Sequence, residues 1–253
     1  MKYRSGASWL VAIVMASSLT GFVAARASDK KEKDKEKTQA VDSGSFGVFI
    51  KGQRVVTETF HIEQQMGIST IKSQLKETGS PEPIAQKSDL EINSSGELVR
   101  YEWSQTAGGS LTVLPNNDFL IEKISAPGAA KPAEQPFLMP NTSAILDNNS
   151  FVQREVLIWR YLAANCKPEG SNLKCEQGPA EFGALVPQDR TSMRVRLELV
   201  GREKVTIRGA ERELMRLNLT SETFVWNLWV DDHDQFKLMR VAIPADNTEV
   251  IRD

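Results

Sequence analysis

Two residue types that dominate enzyme and metal sites are scarce in this chain of 253 residues: it holds two cysteines, Cys166 and Cys175, and two histidines, His61 and His233. Two cysteines alone cannot complete a tetrahedral zinc site. A Gly-x-Ser-x-Gly turn is absent, and with it the nucleophile elbow of the common serine hydrolases. Charge of one sign is lacking as well, since 31 Lys and Arg face 33 Asp and Glu. Along the strands the basic residues are scattered singly, which argues against a nucleic-acid partner, because phosphate binding needs grouped cations that displace counterions.

Long apolar runs are confined to the N-terminus. Lys2 and Arg4 precede an apolar stretch from about Trp9 to Ala25, and Ala25, Arg26 and Ala27 match the small-x-small pattern of a cleavage site. The stretch is interrupted by Ser17, Ser18, Thr20 and Gly21, short of the roughly 20 apolar residues that a stable span requires. Residues 1–27 therefore read as a cleavable secretory signal peptide, leaving no transmembrane span and a periplasmic or secreted product. Removing Lys2, Arg4 and Arg26 takes three positive charges from the net −2, giving −5 for the exported chain. Alternating charges follow the cut without one aliphatic side chain up to Lys37, and such a segment cannot offset its ordering entropy by burial. Residues 28–43 are expected to be a disordered spacer, and residues 44–253 a single β domain.

Within that domain the dominant signal is period two. Phe46, Val48 and Ile50 alternate, Gly52 and Gln53 turn the chain, and Val56, Glu58, Phe60 and Ile62 share a face of a second strand. Further runs carry Ile71, Ser73 and Leu75; Leu90 and Ile92; Val99, Tyr101 and Trp103; Leu111 and Val113; Phe119, Ile121 and Ile124. The connections are too short for parallel crossovers, so the strands form an antiparallel meander. Residues 126–140, rich in Pro, Ala and Gly, lead to one helix capped near Asn149 or Ser150 that runs through Phe151, Glu155, Ile158 and Leu162. Its apolar residues wrap most of the circumference, the mark of a buried helix. Strands resume with Met193, Val195, Leu197 and Leu199, turn at Gly201, Arg202 and Glu203, and continue through Val205 and Ile207. Met215, Leu217 and Leu219, then Phe224, Trp226, Leu228 and Val230, then Met239, Val241 and Ile243 complete the pattern. The expectation is a mainly β fold: about 12 strands in an antiparallel meander curled into a barrel or half-barrel with one buried helix.

Between helix and second meander, Cys166 and Cys175 flank Pro168, Gly170 and Asn172, and in an oxidising compartment they form a disulfide that pins a loop. Candidate chemistry is thin. Glu58 shares the apolar face of its strand and is the one inward carboxylate that could serve as an acid. His61 alternates outward, and His233 lies in the acidic turn 231–234, which lacks the spacing of a calcium loop and reads as a solvated turn. No catalytic residue, metal site or cofactor is expected.

The segments Gly44, Ser45, Phe46 and Gly47 with Lys51, Gly52, Gln53 and Arg54, and Leu199, Gly201, Arg202 and Glu203 with Trp226, Leu228 and Trp229, resemble a bacterial family of exported β proteins without an assigned activity. The order of elements is more distantly similar to lipoprotein-carrier and glycolipid-binding half-barrels. That resemblance implies a concave apolar surface for an acyl chain and brings no catalytic motif. It gives the leading expectation, a non-enzymatic binder or carrier of a lipid or other apolar small molecule, with Tyr101, Trp103, Phe224, Trp226 and Leu228 ringing an open cavity. An envelope interaction module with a packed interior is the first alternative. A hydrolase with an unfamiliar site, its polar groups converging in a cleft, is the second.

Overall fold

The computed structural model describes residues 38–253 apart from 81, 82, 149, 171 and 177. The expected signal peptide and spacer residues 28–37 lie outside the described residues. The chain is mainly β with one helix, and the described part forms one compact unit.

The first meander comprises β1 (Gln39–Ile50), β2 (Gln53–Gln65), β3 (Ile68–Glu77), β4 (Ala85–Asn93), β5 (Leu98–Gln105), β6 (Ser110–Asn116), β7 (Phe119–Ser125) and β8 (Ala133–Leu138). Each pairs antiparallel with the next. The β1–β2 turn has both central residues left-handed, Lys51 at φ 50° and Gly52 at φ 81°, the backbone that matches strand twist in a two-residue hairpin. A short β9 (Ala144–Ile145) precedes the helix α1 (Val152–Asn165), which is followed by a separate hairpin of β10 (Cys166–Glu169) and β11 (Asn172–Cys175). The second meander is β12 (Ala180–Val186), β13 (Thr191–Ile207), β14 (Ala210–Thr220), β15 (Val225–Asp231), β16 (Lys237–Ile243) and β17 (Thr248–Arg252).

What unites the two meanders is the pairing of β17 with β1, from Phe46 opposite Arg252 to Ile50 opposite Thr248. The result is one sheet of 15 strands, with β8 at one edge and β9, parallel to β12, at the other. Laid flat, such a sheet would separate its edges by about 65 Å. Only residues 139–143 join β8 to β9, a reach of at most about 20 Å. The sheet must therefore curl strongly, yet its edges do not pair, so it is an open half-barrel and not a closed barrel.

Several expectations need correction. The first strand begins at Gln39, inside the segment expected as spacer, and Asp42 is buried because it meets an arginine described below. The turn expected at Gly201 is a bulge: β13 runs on for 17 residues with a register shift between Leu199 and Gly201. Its far end packs with β14 into a second cluster, Val205, Ile207, Leu214 and Trp229, separate from the main core. In β7 the inward residues are Leu120, Glu122 and Ile124, one step out of phase with the expected face of Phe119 and Ile121. Beyond the 12 strands expected, β8, β9, the disulfide hairpin and β17 are short or edge elements whose patterns span too few residues to read, and β12 ends in the consecutively buried Ala184, Leu185 and Val186, without alternation.

The core lies between the inner sheet face and α1. Phe46, Ile62, Ile71, Tyr101 and Leu120 from the first meander and Leu185, Leu197, Leu217, Leu228 and Val241 from the second enclose Val152, Leu157, Ile158 and Tyr161 of the helix.

Candidate functional site

The helix fills the concave face of the half-barrel. Nine of its 14 residues are buried, among them Gln153, Arg154 and Glu155. Burying such groups is costly unless each is paired, so their partners define how the helix is seated. Under the middle of the helix a cavity of only about 10 Å³ is lined by Leu90, Leu98, Ile145, Gln153 and Leu157.

Of the two expected caps, Asn149 lies outside the described residues and Ser150 does not cap the helix, whose first amides are instead met by a carboxylate from across the fold. Glu58 of β2 accepts Phe151 N–H at 2.7 Å and Val152 N–H at 3.5 Å, together with the hydroxyls of Ser73 at 2.6 Å and Ser150 at 3.2 Å. An anion at a helix N-terminus answers its unpaired amides and its dipole. Burial nevertheless pushes the Glu58 carboxyl up to about 7, with the four donors holding it down from a higher value. Arg154 donates to the carbonyls of Asp147 and, at 2.7 Å, Ser150, and its guanidinium lies 5.0 Å over the Trp226 ring. Burial lowers the Arg154 guanidinium to about 10 and raises the Asp147 carboxyl to about 7.

One turn on, Glu155 faces the seam between β1, β16 and β17. Its Oε2 accepts Leu238 N–H at 2.8 Å and Arg252 Nη1 at 2.9 Å, while Arg252 Nη2 reaches Asp42 Oδ2 at 2.6 Å. The same guanidinium lies over the rings of Phe60 and Phe46, which stack on one another at 5.1 Å. Burial and the neighbouring Asp42 push the Glu155 carboxyl well above the usual range, and Arg252 opposes them. Glu122 of β7 has no exposed surface and no partner among the described residues, and burial lifts it to about 7 against the pull of Arg190.

The five residues expected to ring a cavity fall into three groups. Phe224 and Trp226 lie 5.1 Å apart with their rings tilted by 39°, and Phe151 of the helix start is 6.3 Å from Trp226. Trp103 donates to Gln86, which also accepts from Gln188, whose own N–H meets Asp147 at 3.2 Å. The polar chain Gln86, Gln188, Asp147 and Arg154 thus stands between Trp103 and Trp226. Tyr101 and Leu228 have no exposed surface, and the Tyr101 hydroxyl is without a partner among the described residues.

Glu58 points inward as its strand pattern implied, but both oxygens are filled by helix and serine donors. His61 is exposed on the outer face 3.7 Å from Glu63. There a trough of about 710 Å³ crosses β2 to β6, walled by His61, Lys72, Lys87, Asp89 and Glu102. His233 sits 3.1 Å from Asp232 in the turn after β15, and with Asp231 the three offer ligand atoms within 4.8 Å of one another. Arg202 already pairs with Asp232, which competes with a cation there. The disulfide between Cys166 and Cys175 closes the β10–β11 hairpin, where the two are direct partners.

Sequence reasoning missed Glu155, Arg252 and Asp42, whose partners lie 97 and 210 positions apart. A signal did exist for Glu122, a carboxylate alternating with Leu120 and Ile124. Among the described residues no helix is long and apolar enough to cross a membrane. No family model, curated protein or solved structure matches this chain.

Proposed function

We propose that this chain is a non-enzymatic binding protein of the cell envelope, exported to the periplasm or beyond. In this reading the half-barrel is filled by its own helix and partners are met on the rims and the outer face. The observation that carries it is the seating of α1: nine buried residues, with Arg154 and Glu155 both engaged, and a cavity of only about 10 Å³ beside Gln153 and Leu157. Export is supported by the disulfide, which persists in oxidising compartments.

A carrier of a lipid or other apolar ligand is the second reading. It is favoured by the polar character of the helix anchorage, because displacing α1 would uncover the aromatic pair Phe224 and Trp226 together with Leu228. Native mass spectrometry of protein purified gently from the envelope, with solvent extraction, decides between the two. The interaction reading expects no extractable ligand whose retention depends on Trp103 or Trp226. A lipid at near-stoichiometric occupancy, lost when either tryptophan is replaced by a charged residue, would replace it with the carrier.

A further inference from the structure

At the C-terminal end of α1, far along the helix from Glu58, the last turns meet the start of β1 and the β15–β16 turn. A rim pocket of about 390 Å³ opens there. Val41, Trp159, Leu162 and Phe236 make its apolar floor, and the carboxamides of Gln39, Gln64 and Gln235 stand around it. The volume falls in the range of small-molecule sites, roughly 300–1,000 Å³.

Several independent features shape this pocket. The β1–β2 register shifts between Ala40 and Asp42, so Val41 is the extra residue of a bulge, a device that re-aims a side chain at a sheet rim. Gln235 and Phe236 are consecutive left-handed residues at φ 54° and 57°, a backbone that a bulky side chain adopts only when its surroundings enforce it. The enforcing contact is visible: the Phe236 carbonyl accepts the Trp159 indole N–H at 3.0 Å, which fixes the indole against that turn.

The chemistry of the lining is selective. None of its side chains is ionisable. Among the described residues the neighbouring charges are engaged elsewhere, Glu63 by Lys72, Asp42 by Arg252, and Lys237 by Asp234 and Asp42. Among the described residues the Gln39, Gln64 and Gln235 side chains have no protein hydrogen-bond partner, and each carboxamide offers both donors and an acceptor without a charge. An ionic head group would be desolvated there without a counter-charge, whereas a hydroxyl or amide would be matched.

We infer that this rim pocket binds a small uncharged amphiphile, its apolar body on Val41, Trp159, Leu162 and Phe236 and its hydroxyl- or amide-bearing head among the three carboxamides. The inference deepens the proposed function by naming a rim site and its ligand class, and it rests on that reading in placing the ligand outside the half-barrel.

The test uses the purified full-length exported protein, kept free of detergent, with monomeric octyl glucoside as probe and octanoate as its charged counterpart. Binding is followed by titration calorimetry and by the side-chain amide resonances of the glutamines. Octyl glucoside is expected to shift the Gln39, Gln64 and Gln235 amides and to bind at least about tenfold more tightly than octanoate. Val41→Glu, at a part-exposed bulge, should weaken it about tenfold or more, and Gln64→Ala, which removes one carboxamide, should weaken it severalfold. Absence of binding, equal affinity for octanoate, or indifference to both substitutions would overturn the rim site while leaving the filled half-barrel standing. Binding that survives Val41→Glu and Gln64→Ala but is lost on charging Trp103 or Trp226 would overturn the filled half-barrel too.

Discussion

Raising the pH from 5 to 8 should destabilise this protein, which is the reverse of the usual behaviour of acidic chains. Three fully or nearly fully buried carboxyls set its size, Glu58 and Glu122, lifted from 4.5 to about 7, and Asp147, lifted from 3.8 to about 7, and Glu155, also raised, acts in the same direction. Because each folded value exceeds the unfolded one, the native state holds more protons between about pH 4 and 7. The stability they contribute is complete below the unfolded value and is lost as pH rises through the folded one. Between pH 5 and 8 each group titrates over about two units, so at 1.36 kcal/mol per unit each loses about 2.5 kcal/mol, an upper bound near 8 kcal/mol for the three. Local relaxation and the coupling of Asp147 to Arg154 reduce this to about half. Asp253, held low by Arg54, works in the opposite direction but below the window considered. Urea unfolding monitored by tryptophan fluorescence should therefore show a midpoint about 2 M higher at pH 5 than at pH 8. Glu122→Gln should remove about a third of the slope, since Glu122 has no hydrogen bond to lose. A stability that stays flat or rises between pH 5 and 8 would refute the argument.

Tyr101→Phe removes a buried hydroxyl without a protein partner and should leave stability unchanged or raise it by up to about 1 kcal/mol in the same urea assay; a larger loss would reveal a bound partner for that hydroxyl. Arg252→Ala leaves Glu155 and Asp42 facing each other and should cost about 3–5 kcal/mol, whereas Arg252→Met combined with Glu155→Leu and Asp42→Leu should recover most of that loss. Failure of the triple replacement to recover it would mean that the ion cluster contributes stability beyond mutual neutralisation.

The parts of this fold that were legible in the sequence are the local ones. Period two placed Glu58 on the face of Phe60 and Ile62, and the short polar stretch between Cys166 and Cys175 announced the disulfide. In β2 to β6 and much of β13 to β15, alternation survived because one face is buried and the other wet, which is what a half-barrel wall requires. What sequence order could not supply is the pairing of β1 with β17, since nothing in residues 46–50 marks residues 248–252 as partners. The candidate site depended on that seam. Asp42, Glu155 and Arg252 come from a strand start, a helix and the penultimate residue of the chain, and no periodicity links them. The bulge at Leu199 and Gly201 misled in a different way, because a glycine after an alternating run signals a turn and a bulge alike.

That seam also explains why the helix carries charges where an apolar face would have filled the space. An apolar plug in a smooth concave sheet gains burial in many rotational settings, so burial alone does not fix its rotation or depth. Glu155 can reach Arg252 and the Leu238 amide in one setting only, and Glu58 can cap the helix only when Phe151 and Val152 arrive at β2. The two carboxylates sit on opposite sides of the first turn, one received from the sheet and one offered to it. They define a unique seat at some cost in desolvation, the trade that buried polar groups make in other packed assemblies. The same seat delivers Trp159 to the Phe236 carbonyl. A shift of α1 by one turn, about 5.4 Å, would break both carboxylate contacts and take the floor of the rim pocket with it. The filled interior and the neutral pocket at its edge are thus consequences of one placement, and losing the Arg252 anchor should be felt at both.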